Sequence, residues 1–279
     1  MSGAIAGAAL AAAAAGAGTA VVVARVRIAS PPSRLNRTNY AGFEVPAVLG
    51  DGVVAGTLVA LAVGGAAGAA GWDAAATGRM GAAAAVAVGI MGAAGRLDDL
   101  RGDEGPRGFS GHLRAAVRGH VTGGALKILA GGIAGLAAGS LVASGTEIIV
   151  VGLLVALGAN TFNLLDRAPG RAGKLWVLAA LPVFVWGSSE WALAAAGMGG
   201  ALLGVLPADL GARGMLGDAG ANPFGAVWGL GLASATGERG RLIAIVVLVL
   251  LNAASERWSF SRAIEGIGWL RGLDQLGRK

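Results

Sequence analysis

The chain contains no cysteine and only two histidines, His112 and His120, among its 279 residues. Without thiols there can be neither a disulfide framework nor a thiolate metal site. Two imidazoles are too few for a histidine-rich zinc centre. Charged residues are also scarce, at 14% compared with about a quarter in an average soluble domain. The chain therefore lacks the charge that a soluble globule of this size needs at its surface.

Apolar residues make up 55% of the chain, and the mean hydropathy is +0.68. A helix needs about 20 residues to cross the hydrocarbon core of a bilayer, and nine apolar runs are close to that length. The runs do not alternate between apolar and polar residues, so we expect helices rather than barrel strands. The sequence therefore predicts an all-α, polytopic membrane bundle. The nine runs lie near residues 3–24, 48–71, 78–95, 122–143, 146–164, 173–188, 190–206, 221–236 and 240–255.

The basic residues are concentrated in every second connection between these runs, while the other connections hold only Arg79, Arg239 and Arg241. The positive-inside rule places the arginine-rich connections in the cytoplasm, with the N-terminus outside and the C-terminus inside. The net charge of +6 then reflects membrane topology and does not indicate a nucleic-acid partner. No basic residue precedes the first run, which predicts a retained helix rather than a cleaved signal peptide.

Two domains are expected: an integral-membrane domain over residues 1–255 and a cytoplasmic amphipathic tail over residues 256–279. The tail has apolar residues at roughly helical spacing with arginines between them. This pattern predicts a helix that lies on the inner membrane surface or caps the loops. The apolar residues of the tail are Trp258, Phe260, Ile264, Ile267, Leu270 and Leu273.

One run carries a glycine at every fourth position, at Gly131, Gly135 and Gly139. Small residues at this spacing form one face of a helix and allow a second helix to come close. Two interpretations follow: close packing within one chain, or contact between two copies in a homodimer.

The first of three polar clusters is the pair Asp98-Asp99, which lies between Arg96 and Arg101 at the cytoplasmic end of the third run. Adjacent carboxylates point about 100° apart on a helix. One of them can therefore bind a metal while the other faces a second ligand. The alternative is a solvated segment in which the acids pair with the flanking arginines.

The second cluster is Asn160, Asn163 and Asp166, whose spacing places two amides and a carboxylate on roughly one helix face. Polar groups on an apolar helix need partners, which could be a substrate or a neighbouring helix. The third cluster is Gly217-Asp218-Ala219-Gly220-Ala221-Asn222, just before the eighth run. Glycines let the backbone approach a ligand and a helix N-terminus favours anions, although a plain capped turn is the alternative.

Together the clusters supply carboxylates from three connections on one membrane face. Mg²⁺ is usually held by one or two carboxylates together with substrate phosphates. Phosphoryl transfer depends mainly on positioning and charge neutralisation, and arginines can bind phosphate oxygens. A metal-assisted reaction on a phosphate ester is therefore expected. Transport is a rival function, because Asp51, Glu147 and Glu190 lie near the ends of the apolar runs.

In this order, the clusters resemble the motifs of the polyprenyl-phosphate N-acetylhexosamine-1-phosphate transferases. That family includes the phospho-MurNAc-pentapeptide translocase and the UDP-GlcNAc:undecaprenyl-phosphate GlcNAc-1-phosphate transferases. Asp98 and Asp99 match its paired aspartates. The run Asn160–Asp166 matches its Asn-x-x-Asn-x-x-Asp motif, and Gly217–Gly220 matches its Gly-Asp-x-Gly loop. The resemblance covers nearly the whole chain, from about Arg34 to Arg257.

The resemblance implies an enzyme of the inner (plasma) membrane that uses Mg²⁺, or Mn²⁺, to join a sugar 1-phosphate from a UDP-sugar to a polyprenyl phosphate. UMP is the product that leaves, and a homodimer is a possible assembly. The resemblance also implies three groups of site residues. These are Asp98 and Asp99 as catalytic residues, Asp218 with Asp98 and Asp99 as metal ligands, and Asn160, Asn163, Asp166 and Lys127 as substrate-binding residues.

The chain also departs from the family pattern. Asp166 is followed by Arg167 where the family has glycine, and Pro169 precedes Gly170. The family's histidine-rich motif is missing, since residues 255–262 contain no histidine, and we expect no counterpart of the family's usual final helix among the residues given. These departures favour an alternative function: a catalytically diverged relative that binds lipid phosphate or a cell-wall partner.

Overall fold

A computed structural model describes residues 3–39, 42–68, 74–102 and 123–278, and these residues are nearly all helical. They form eleven α-helices, one short 3₁₀ helix at Ser33–Leu35, and an antiparallel hairpin of β1 (Asn36–Thr38) and β2 (Glu44–Pro46). The helices are α1 Gly3–Ala29, α2 Leu49–Gly68, α3 Ala74–Arg101, α4 Gly123–Val142, α5 Glu147–Leu165, α6 Arg171–Trp186, α7 Ser189–Leu210, α8 Gly217–Ala235, α9 Glu238–Ser255, α10 Phe260–Gly266 and α11 Gly268–Gln275.

Each of the nine predicted apolar runs coincides with one of the helices α1 to α9. Six of them, namely α1 to α5 and α7, are long and apolar enough to cross a membrane. A seventh span results if α9 and α10, which meet at an angle of 94°, are counted as one broken span. The multi-pass membrane architecture is therefore supported, but the count of nine spans is not confirmed.

The helices α1 to α9 alternate in direction, so that their connections gather at two opposite ends of the bundle. Ion pairs and hydrogen bonds at one end join the C-terminal turns of α1, α3 and α5 to the N-terminal turns of α2, α4 and α8. We call this the arginine-rich end, because every described connection of the predicted cytoplasmic set lies there. The opposite end holds the pair formed by Glu147 and Arg241. The basic residues predicted between 103 and 122 lie outside the described residues.

Helix α8 lies at the centre of the bundle and packs against α2, α3, α5 and α6. Most of its residues from Ala219 to Ala233 are buried. Its neighbours come very close, because Gly225 lies against the backbone of Gly158 and leaves no room for a β-carbon. Trp191 of α7 adds a buried hydrogen bond of 2.8 Å from its indole N–H to the carbonyl of Val227. Helix α8 can therefore carry polar residues, since other helices rather than lipid surround it.

The glycine face of α4 packs inside the chain. A β-carbon at Gly135 would overlap the backbone of Gly152, and one at Gly139 would overlap the carbonyl of Ile148. Both of these partners belong to α5. The intramolecular interpretation therefore accounts for this face, and the described contacts leave the homodimer as a prediction.

Candidate functional site

The carboxylate of Asp99 caps the first turn of α8. Its two oxygens accept hydrogen bonds from the backbone N–H groups of Asp218 and Ala219, at 3.0 and 3.1 Å. Gly217 enters the helix with a φ of +62°, a conformation that glycine adopts without strain. An anion at a helix N-terminus satisfies free N–H groups and meets the positive end of the helix dipole. Asp99 thus fixes the position of Asp218.

Lys127 connects the first and third clusters. Its ammonium nitrogen lies 2.7 Å from Oδ2 of Asp98 and also contacts Oδ2 of Asp218. The lysine side chain is 26% exposed and each carboxylate 20%. Three helices, α3, α4 and α8, therefore bring two acids and one cation to a single point that remains in reach of solvent.

Glycines make this convergence possible. A β-carbon at Gly95 would overlap the carbonyl of Asp218, and one at Gly50 would overlap the backbone of Gly220. Gly123, at the start of α4, leaves space for the carboxylate of Asp98. The cluster thus forms where α2, α3, α4 and α8 approach each other more closely than larger residues would allow.

A chain of alternating charges supports Asp99. Arg96 lies 3.7 Å from the Asp99 carboxylate, donates a 2.7 Å hydrogen bond to the carbonyl of Ala47, and pairs with Asp51 of α2. Asp51 also lies 2.8 Å from Arg27 of α1. Arg96 pairs with Asp99 within α3, as the solvated-segment alternative expected, but both side chains are largely buried. The further pairs of Arg96 and Arg27 with Asp51 extend this chain of charges over α1, α2 and α3. Asp51 was expected only as a candidate for transport.

The amides of the second cluster have separate partners. Asn163 donates a 2.9 Å hydrogen bond to the side-chain carbonyl of Asn222 in α8. Asn160 instead bonds to Asn252 of α9, which also donates to Thr161. The structure therefore brings Asn163 towards α8 and the acidic cluster, and it directs Asn160 to another helix. Interhelical hydrogen bonding accounts for both amides.

Asn222 is the last residue of the third cluster, and the sequence motifs assign it no role of its own. It is only 2% exposed, and its amide nitrogen has no hydrogen-bond partner among the described residues. A buried donor without a partner costs about 1–3 kcal/mol. A ligand that supplies an acceptor would remove this cost. The signal in the sequence was its place at the end of this polar cluster, one turn after Asp218.

Asp166, the last polar residue of the second cluster, follows the final turn of α5 at the edge of a small cavity. Asp209, Arg167 and Asn39 also line this cavity of about 30 Å³, which is large enough for water and too small for a sugar nucleotide. Desolvation, followed by the charges of Asp209 and Asp218, raises the pKa of Asp166 well above its usual range. The carboxyl group of Asp166 thus tends to hold its proton.

Asp209 is a buried residue that the motifs missed. It is 4% exposed and accepts a 3.0 Å hydrogen bond from the backbone N–H of Gly170. This bond ties the end of α7 to the segment that connects α5 with α6. The sequence signal was a single acid at the end of an apolar run, which by itself does not distinguish a structural role from a catalytic one.

The donor set partly fits the expected metal site. Within the described ranges, no three carboxylates or imidazoles lie close enough together to bind one metal ion. Asp98 and Asp218 do converge on one cationic point, which Lys127 fills. Asp99 directs both oxygens to backbone amides instead. Two carboxylates and substrate phosphates are a usual coordination set for Mg²⁺.

No protein-family model and no curated protein matches this chain. The assignment of function therefore depends on the geometry of the arginine-rich end and on the resemblance of its motifs.

Proposed function

We propose that this protein is an integral-membrane transferase that moves a sugar 1-phosphate from a UDP-sugar to a polyprenyl phosphate and releases UMP. One observation carries the proposal: the carboxylates of Asp98 and Asp218 meet at the ammonium group of Lys127. These groups come from distant parts of the sequence and meet at the end of an apolar bundle. Reactions of phosphates need mainly positioning and charge neutralisation, and such a cluster supplies both.

Asp98 and Asp218 would hold Mg²⁺, or Mn²⁺, in place of the lysine ammonium. The ion would supply neutralisation of phosphate charge. Asp99 would act by holding the first turn of α8, because its oxygens are already engaged by backbone N–H groups. Lys127 would then be free to bind an oxygen of either phosphate substrate.

In the reaction, an oxygen of the lipid phosphate attacks the β-phosphorus of the UDP-sugar. A new phosphorus–oxygen bond forms while the bond from the β-phosphorus to the bridging oxygen breaks, and UMP leaves with that oxygen. Phosphate monoesters have a second pKa near 6, so at neutral pH the attacking group is already mostly deprotonated. Asp98 is therefore needed to position the nucleophile rather than to remove a proton.

The nucleotide sugar would be recognised beside α5 and α8. The amide nitrogen of Asn222, which has no partner among the described residues, offers a donor, and Asn163 holds that amide in place. Asp166 lines a cavity too small for the nucleotide sugar, so its protonated carboxyl group would order the site by donating a hydrogen bond rather than contact the substrate. Replacing Asn222 with Leu should therefore raise the KM for the UDP-sugar more than it lowers kcat.

For the topology, we propose that all nine helices α1 to α9 cross the inner membrane, with the N-terminus outside and the arginine-rich end in the cytoplasm. The alternating directions of the helices support this arrangement. The lower hydropathy of α8 does not oppose it, because neighbouring helices bury most of its residues. UDP-sugars would then reach the site from the cytoplasm.

A second function is favoured by Lys127 itself. The lysine neutralises Asp98 and Asp218 without a metal ion, and Arg167 is exposed beside Asp166. A protein with this arrangement could bind a lipid phosphate through its basic groups without turnover. This second function is that of the catalytically diverged relative.

The deciding experiment uses the full chain in lipid vesicles with undecaprenyl phosphate, a panel of UDP-N-acetylhexosamines, and Mg²⁺ or Mn²⁺. We expect UMP release that Asp218→Asn abolishes. Glu147→Gln is the matched control, since it removes a carboxylate from an ion pair at the opposite end of the bundle. Binding of undecaprenyl phosphate without UMP from any donor would identify the diverged relative. Equal turnover by Asp218→Asn and the wild type would refute the site.

A further inference from the structure

Helix α11 in the C-terminal tail has an exposed apolar face. Trp269, Leu273 and Leu276 follow one another at intervals of four and three residues, and they are 69, 42 and 67% exposed. This spacing places Trp269 and Leu273 on one side of the helix, and Leu276 directly follows its last residue, Gln275. Arg271 and Gln275 lie on the other side. We refer to Trp269, Leu273 and Leu276 as the apolar face of α11.

Ion pairs fix the rotation of this helix. Asp274 accepts two hydrogen bonds from the guanidinium of Arg171, at 2.7 and 2.8 Å, and its backbone carbonyl accepts one of 2.6 Å from Lys174. Arg278 donates a 2.9 Å hydrogen bond to the carbonyl of Pro169. Asp274 lies about 140° around the helix from Trp269, as the 100° step per residue requires. The docked side therefore points at the first turn of α6, and the apolar face points away from it.

The path of the chain after α9 leads the tail towards the membrane surface. Helix α9 exposes apolar side chains such as Ile243, Val246 and Leu250, as a lipid-facing helix does. The chain then turns by 94° into α10. If α9 crosses the bilayer, α10 runs along the membrane plane. Trp258, which is 71% exposed, lies at the turn, where indole rings favour the boundary between lipid and water.

The charges around the apolar face match an anionic surface. Arg257, Arg262 and Arg271 are exposed in the same tail, on the arginine-rich side of the bundle. The cytoplasmic leaflet is rich in anionic lipids and attracts basic segments next to a span. A helix with a basic polar side and a tryptophan and leucines on the other is typical of helices that lie in the membrane interface.

A second copy of the chain is a weaker candidate for this surface. Stable interfaces bury roughly 800 Å² on each partner. Three side chains on a helix of eight residues provide only a fraction of that area. The bilayer, in contrast, is already beside the face if α9 crosses it.

We propose that the apolar face of α11 docks on the anionic lipid surface of the inner leaflet, while Asp274 holds the opposite side of the helix to the first turn of α6. Lipid would then contact α11. Arg171 links this helix to the connection between α5 and α6, which carries Asp166. This proposal depends on α9 crossing the membrane and does not depend on transferase activity.

The chain has no cysteine, so single nitroxide labels can be placed without background. We compare Leu273→Cys on the apolar face with Gln275→Cys on the polar side, both in the full chain in nanodiscs of phosphatidylcholine with phosphatidylglycerol. The label at 273 should collide more with oxygen, which enters lipid, than with a water-soluble nickel complex. The label at 275 should show the reverse preference, and the preference at 273 should weaken without phosphatidylglycerol.

If both labels prefer the nickel complex, the face lies in water and the proposal is wrong. Spin–spin broadening at 273 that disappears on dilution with unlabelled chain would instead show a second copy on the face. An oxygen preference at 273 that does not change without phosphatidylglycerol would refute the anionic surface. A measurement without labels guards against a perturbing substitution: brominated lipids should quench the wild type more than Trp269→Phe, and equal quenching would contradict the proposal.

Discussion

The ammonium nitrogen of Lys127 lies 2.7 Å from Oδ2 of Asp98 and contacts the carboxylate of Asp218 as well. One cation thereby links α3, α4 and α8 at the end of the bundle where the arginines collect. All three side chains are mostly shielded from solvent, which makes their attraction stronger than that of surface pairs. The same three groups are the basis of the proposed chemistry, so their contribution to stability must be measured separately from activity.

Replacing Lys127 with Met should destabilise the protein, because two neighbouring carboxylates would lose their counter-charge. Removing one partner of a fully buried ion pair costs roughly 3–5 kcal/mol. We expect a smaller loss here, since the side chains are 20–26% exposed. Unfolding in mixed detergent micelles measures the change. Adding Asp98→Asn and Asp218→Asn to Lys127→Met should restore most of the stability, and an unchanged midpoint for Lys127→Met would contradict the role of the lysine.

Replacing Gly95 with Ala should separate α3 from α8. The new methyl group would overlap the carbonyl of Asp218, and overpacking of this kind costs typically 1–3 kcal/mol. Gly89 in the same helix is the matched control, because a β-carbon there meets no atom within 4 Å. Gly89→Ala should be neutral or stabilising by up to about 1 kcal/mol, since alanine favours helices. Equal midpoints of thermal unfolding for the two variants would refute the close contact.

Much of this architecture follows from apolar runs and from charge. The nine runs coincide with α1 to α9, because a long apolar segment has few alternatives to a helix in a membrane. The boundaries were less accurate at the polar ends. Helix α3 continues to Arg101, so that Asp98 and Asp99 lie within a helix, and Gly217 begins α8 rather than preceding it.

The partners of the polar residues were harder to predict. The sequence placed Asp98, Asp99 and Asp218 at one membrane face, but the role of Asp99 as a cap depends on the rotation of α3 and α8. Asn160 and Asn163 have the same residue type and neighbouring positions, and they bind different helices. Which helix each amide binds depends on packing between distant segments, and no local pattern in a single sequence encodes that packing.

Replacing Asp166 with Asn should stabilise the protein more at high pH than at low pH. Desolvation raises the pKa of Asp166 in the folded state well above the ordinary value of 3.8. The folded protein therefore holds this proton when the unfolded chain has lost it, and stability falls as the pH rises from about 4 through the folded pKa. Because the amide of asparagine does not titrate, Asp166→Asn removes this dependence of stability on pH. Thermal midpoints of both proteins in neutral and acidic buffers test the prediction, and a gain that grows on acidification would contradict it.

Replacing Asp274 with Asn should release the tail. Burial raises the pKa of Asp274, but hydrogen bonds and charges from Arg171 and Arg278 outweigh that effect and leave the pKa below 3.8. The stabilisation is therefore complete above the ordinary pKa and is lost as the pH falls through the lower folded pKa. Trypsin at neutral pH should cleave the tail of Asp274→Asn faster than that of the wild type. Pepsin in strong acid should cleave the two at similar rates.

The exposed carboxylate of Glu265 in the same tail provides the control for this experiment. Glu265→Gln should leave the rate of tryptic cleavage unchanged. Equal cleavage of Asp274→Asn and Glu265→Gln at neutral pH would show that the buried pair with Arg171 does not hold the tail.

The central claim is that Asp98 and Asp218 form one binding site for a divalent cation at the arginine-rich end. Electron paramagnetic resonance of Mn²⁺, titrated into the full chain in nanodiscs with UDP present, measures this most directly. We predict one bound ion per chain, at least tenfold weaker binding for Asp98→Asn and for Asp218→Asn, which corresponds to about 1.4 kcal/mol, and unchanged binding for Glu147→Gln. Mn²⁺ affinity that is the same in all four proteins would contradict the account.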